Sequence, residues 1–161
     1  MGETDCSIEL LLRIVDEAFD RKAWHGTTLK GSLRGLKLAA ACWRPGPKRH
    51  NIWELALHTA YWKYAVRRRL TGEKRGRFGR AGSNWPKLPK VKDTSAWRDD
   101  VKFLKDEHAA LRAVVAGLSP TKLSARSATR RWRNSDLIHG VAAHDLYHAG
   151  QIQLLKRLQR P

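Results

Sequence analysis

The stretch "LIHGVAAHDLYHAGQIQLLKRL" (137–158) decides the fold. At about 100° per residue on a helix, Leu137, Val141, His144, His148, Ile152 and Leu155 fall in one narrow stripe. An apolar stripe of that length has to be buried against other elements. The spacing therefore predicts a long helix over about 135–159 that is packed in a bundle and turns two imidazoles inward. The i, i+4 separation brings those two side chains to one spot on the helix surface, as sharing a metal ion requires.

The flanking sequence supplies partners for such a helix. Trp97, Val101, Leu104, His108, Leu111, Val115 and Leu118 repeat in a 4-3 spacing, predicting a helix over about 95–118. "NIWELALHTAYWKYAVRRRL" (51–70) opens with Asn51 and Glu54 in capping-box spacing, and Gly72 is a suitable stop. Ile8, Leu11, Leu12, Val15 and Phe19 predict a helix over about 5–20. Gly26 breaks the chain, and Leu29, Leu33 and Leu36 then suggest one short helix. The stretch "TGEKRGRFGRAGSNWPKLPKVKD" reads as a long loop that could run the length of a bundle. "SPTKLSARSATRRWRNS" reads as a connection in which Pro120 follows a helix end. No segment alternates like a strand and none repeats. The expectation is an all-α protein, a four-helix bundle with one extra short helix, forming a single domain over 1–161.

Composition narrows the function classes. Hydrophobic residues make up 42% of the chain, which argues against a disordered segment, and no apolar run approaches the roughly eighteen residues of a membrane span. The opening stretch mixes acids with apolar residues and lacks a basic n-region, so no signal peptide and a cytoplasmic location are expected. Cys6 and Cys42 fit no metal spacing and read as free thiols. Lys and Arg number 32 against 15 acids, for a net charge of +17. Such a field attracts anions. Much of it lies in "RRRLTGEKRGRFGR" (67–80) and "RSATRRWRNS" (126–135), where solvated helix ends and loops are the plainer reading.

A metal needs ligands beyond His144 and His148. His58, on the second long helix, shares a face with Leu55, Trp62 and Ala65 and also points inward, so all three imidazoles could meet at one depth. Neutral imidazoles suit Zn²⁺, Ni²⁺, Fe²⁺ or Cu²⁺. With no cysteine or carboxylate on the same stripes, open positions remain for water, the pattern of a catalytic site. Gln151 lies close to the angle of His144 and is a candidate to orient a ligand. Trp62 is a candidate cavity wall, and His25, at the bend, a candidate for the cavity mouth. His108 either lines the cavity or is a core histidine, the latter favoured. His139 points away from the metal stripe, and His50 belongs to the turn before its helix. Asp145 and Tyr147 lie round the helix from the stripe, free to bond a neighbour. Gly140 and Gly150 suggest close helix approach.

"AWHGTTLKGSL", "HNIWELALHTAYWKYAVRRRLTGE", "NWPKLP" and "LIHGVAAHDLYHAGQIQLLKRL" together resemble the DinB/YfiT-like family of metalloenzymes, in the same order and over nearly the whole chain. The resemblance implies a four-helix bundle with a divalent metal held by three histidines, one on the second helix and an HxxxH pair on the fourth. Carried over, these are His58, His144 and His148, with zinc or nickel the foremost cofactors. It further implies a metal-dependent transferase working with a low-molecular-weight thiol, or a hydrolase, on a small-molecule substrate, with a homodimer compatible. The resemblance assigns no catalytic residue. Two alternatives stand beside it: a basic nucleic-acid-binding module, although no helix-turn-helix or aromatic RNA-binding motif is visible, and a bundle that binds metal without turnover. Contact with a membrane is not expected.

Overall fold

In the computed structural model, residues 6–74, 76, 78–127 and 131–159 are described. Their long helices are α1 (Cys6–Phe19), α4 (Ile52–Thr71), α5 (Thr94–Ala116) and α7 (Asn134–Leu158). The boundaries follow local chemistry. The Asn51 side chain accepts the Glu54 N–H at 2.8 Å while the Glu54 carboxylate accepts the Asn51 N–H at 3.2 Å, closing the capping box of α4. Gly72 ends that helix at φ 78°, a conformation glycine adopts without cost. The Asp93 carboxylate caps α5 by accepting the Ala96 N–H at 2.8 Å.

The expectation of a single short helix is corrected to three: α2 (Leu29–Ser32), α3 (Leu38–Cys42) and α6 (Pro120–Ser124). Helices of four or five residues are too short to show a period. Pro120 follows the end of α5, as its position suggested, and has a second role. It opens α6, where its missing N–H costs nothing, behind the N-cap Ser119. No strand occurs among the described residues, and none of their helices is long and apolar enough to cross a membrane.

The long helices close a ring in which α1 packs on α5 and α7, and α4 packs on the same two. One apolar cluster gathers Phe19, Trp53, Leu55, Trp97, Ile152 and Leu155. The other gathers Ile8, Val66, Leu70, Leu111, Leu137 and Val141. Each cluster thus takes one end of every long helix, which fixes the directions: α1 and α7 run one way, α4 and α5 the other. Because α4 and α5 are parallel neighbours, the chain between them must return along the bundle, as the length of that loop allowed. Its return is pinned by Arg80, whose guanidinium meets the buried Asp100 carboxylate of α5 at 2.6 Å, and Trp53 donates its indole N–H to the same carboxylate at 2.7 Å.

Between the two apolar clusters the interior is polar. His58, Thr59, Lys63, His108, Asp145 and His148 are all buried there. Gly140 and Gly150 do not mark close helix approach, because a Cβ on either would meet nothing within 4 Å. Both are exposed.

Candidate metal centre

Helical spacing sets the site. His58 stands two turns into α4, and His144 and His148 stand one turn apart in mid-α7. Antiparallel packing of α4 on α7 brings them to one depth. The Nε2 atoms of His58 and His144 are 3.1 Å apart, and those of His148 and His144 are 3.0 Å apart. Two nitrogens about 2.1 Å from one ion must lie within about 4.2 Å of each other, so both separations fit a shared ion. The three imidazoles form a group that could hold a metal.

The far ring nitrogens fix the tautomers of two of them. The Nδ1–H of His58 donates to the Asn84 carbonyl at 2.5 Å, and that of His148 to Gln151 Oε1 at 2.6 Å. Their Nε2 lone pairs therefore both face His144. His144 Nδ1 is buried with no hydrogen-bond partner. Lone pairs facing one another at this range repel unless a proton or a cation lies between them. Neutral His144 can place its single ring proton on Nε2 toward one neighbour, but a further, charging proton is disfavoured. Burial lowers the pKa of His58 to about 4, with the Asn84 hydrogen bond opposing and His148 and His50 adding to the fall. Burial, helped by His148, His58 and Lys63, lowers that of His144 to about 3. His148 is also lowered by burial, with Gln151 opposing. At neutral pH all three imidazoles are neutral, the form that binds metals.

The returning loop supplies parts of the site that periodicity does not reveal. Asn84 adopts φ 24°, which asparagine tolerates better than most residues. In that conformation its carbonyl holds His58 while its side-chain oxygen accepts the Trp62 indole N–H at 2.9 Å. Trp85 stacks between two imidazoles, 3.6 Å from His50 and 3.9 Å from His58. His50 is thus more than a turn residue. It also bonds the Glu54 carboxylate at 3.1 Å. The one sequence signal for these residues was the tryptophan of "NWPKLP" in a long loop. Lys63 was not anticipated at all. It reaches across from α4 to form a fully buried ion pair with Asp145, the neighbour of His144.

A cavity of about 1520 Å³ opens over the triad. Trp62 walls it, as do Trp85, Trp132 and Tyr147, and Gln151 lines it beside His148. Arg49, Arg69 and Arg131 lie along its edges. His139 is on its exposed wall. Two of the candidates lie elsewhere. His108 stacks on Phe19 at 3.7 Å and lines a separate cavity of about 480 Å³ with Asp16 and Arg112. The reason is topological: α5 stands diagonally across the bundle from α7, so its stripe faces α1 and α4 and the core reading holds. His25 is exposed and outside the cavity lining, because the turn at Gly26 (φ 97°) leaves it and Trp24 in solvent.

A sequence model of the DinB superfamily matches residues 22–152, which span α2 to α7 up to Ile152 and include all three histidines. No curated protein and no solved structure matches the chain.

Proposed function

Since this chain belongs to the DinB superfamily, we propose that it is a divalent-metal-dependent enzyme in which His58, His144 and His148 hold one ion, zinc or nickel foremost, beneath a cleft for a small-molecule substrate. The observation that carries this reading is the meeting of three Nε2 atoms in a polar layer that burial keeps unprotonated. When bound, the ion supplies Lewis acidity that lowers the pKa of a thiol or a water, the chemistry of S-transfer or of hydrolysis.

The chain's own residues prepare that chemistry. Asn84 and Gln151 hold the outer protons of His58 and His148, so the inner lone pairs stay available. Stacking of Trp85 fixes the plane of His58. Asp145 is tied to Lys63 and serves the fold. Cys6 is exposed and Cys42 half-buried, and neither lines the cleft. A reacting thiol would therefore come from a cosubstrate.

Elemental analysis of untagged protein tests the reading. About one equivalent of divalent metal per chain is expected. Single alanine substitutions of His58, His144 or His148 should reduce it more than tenfold, whereas His139→Ala should leave it unchanged. Turnover with a panel of low-molecular-weight thiols, lost with a chelator and restored by the metal, would establish the enzyme. Metal retained by a variant lacking all three histidines would overturn the site.

A further inference from the structure

The cleft above the triad has a polarity of its own. From His144 toward the start of α7, Val141 and Leu137 line its floor one turn apart each, joined by Val66 of α4 and Leu11 of α1. Trp132 stands 48% exposed on the wall at this end. An apolar surface of that kind left open beside a polar centre suits an apolar ligand body. The same end carries two of the three arginines in the lining, Arg49 standing at the other end before α4. The Arg69 guanidinium lies 5.5 Å from the centre of the Trp62 ring, and that of Arg131 5.4 Å from the centre of the Trp132 ring. Both arginines are thereby held at the cleft by aromatic faces. The carboxylate in the cleft lining is that of Asp136, which accepts the Arg133 N–H at 2.9 Å and so serves the α7 cap.

Building on the metal-site reading, we propose that the cleft selects an amphipathic organic anion, with an apolar aliphatic or aromatic body on Leu137, Val141 and Trp132 and an anionic head at Arg69 and Arg131. The seven residue steps from Leu137 to His144 span about 10 Å of helix, the length open to the body between the head and the imidazoles. A ligand of this shape presents its other end to the triad. An inorganic anion lacks the body, and a neutral lipid lacks the head. Arginine binds carboxylate and phosphate alike through paired N–H donors, and both heads belong to the class.

Calorimetric titration of the metal-loaded protein with octanoate, octyl phosphate, octanol and acetate tests this. Octanoate or octyl phosphate should bind at least tenfold more tightly than octanol or acetate. Arg69→Ala/Arg131→Ala should lower that affinity at least tenfold while leaving metal content and helicity intact. Arg131→Glu alone, at an exposed position, should do the same if loss of Arg69 disturbs Trp62. Arg13→Ala/Arg98→Ala, which removes as much charge outside the cleft, should change nothing. Repeating the titration on metal-free protein separates the two readings. Octanoate binding that survives metal removal and needs the arginines supports the inference even if the metal site proves wrong. Binding that vanishes with the metal and ignores both arginines means that the carboxylate is a metal ligand, and overturns the inference while sparing the metal site. Equal affinities for octanoate and octanol would also overturn it.

Discussion

His144 and His108 are both inward-facing helical histidines whose pKa falls to about 3, yet their surroundings give them different work. Both leave Nδ1 without a hydrogen-bond partner, but His144 meets two other imidazoles, whereas His108 meets the face of Phe19. For His108 the shift is chiefly burial, with Lys63, Arg112 and Lys30 adding to it. A depressed histidine pKa means that the unfolded chain binds a proton that the fold refuses. Above the ordinary value of 6.5 neither state is protonated and nothing is lost. As pH falls below 6.5, the unfolded state gains the proton alone, and stability falls until the folded pKa near 3 is reached. We expect the metal-free protein to lose about 1.4 kcal/mol more per pH unit in this window than His108→Phe, which keeps the stack and removes the titration. Urea denaturation of both proteins at pH 7, 6 and 5 measures the difference. Parallel losses would show that His108 is protonated in the fold.

At the scale of elements, legibility depended on period. The four long helices were readable because each repeats an apolar face over three turns or more, and His58, His144 and His148 were readable because they interrupt those faces at matching depths. The short α3 and α6 complete no such repeat. Asn84 and Trp85 act from a loop, where spacing carries no information about which helix lies beneath. Lys63 was hidden for a different reason: a lysine beside Trp62 and Tyr64 reads as the solvated side of α4, and its burial follows only from the acid that α7 places opposite it. That pair ties α4 to α7 next to the triad and leads to a test. Burial pushes the Asp145 carboxyl up to about 6 against the opposing pull of Lys63, so the charges are costly except together. Lys63→Met and Asp145→Leu should each cost about 3–5 kcal/mol, because each strands a buried charge. The double variant should cost less than either. Denaturation of the four proteins in a double-mutant cycle gives the coupling, and losses that simply add would mean that the two groups do not depend on each other.

Across the whole molecule, the helix directions gather charge that the sequence spreads over two distant segments. α4 ends and α7 begins at the same end of the bundle, so "RRRL" (67–70) and "RWR" (131–133) approach one pole. The part of the basic cluster at Arg75 and Arg77 lies outside the described residues, as do residues 128–130. Arg67 is partly neutralised by Glu73 at 3.4 Å and Glu107 at 3.6 Å, but 15 acids cannot balance 32 cations, and the net charge of +17 repels itself. That repulsion acts over a screening length of about 30 Å at 0.01 M salt and about 10 Å at 0.1 M. Screening it should therefore stabilise the fold. Between 0.01 and 0.15 M sodium chloride the thermal midpoint should rise by about 2–4 °C, the change that about 1 kcal/mol produces in a protein of this size. Reversing the exposed Lys74 to Glu should raise the low-salt midpoint and shrink the salt effect. The same charge would hold nucleic acid loosely, and a protein whose pole serves a small anion should release DNA by about 0.15 M salt without sequence preference. Retention on DNA at that ionic strength would move the basic pole from small-anion recognition to nucleic-acid binding. A thermal midpoint that falls as salt is added would mean that ion pairs such as Arg112 with Asp16 outweigh the net repulsion. The surplus charge would then have to be explained by what it binds, since it would not be straining the fold.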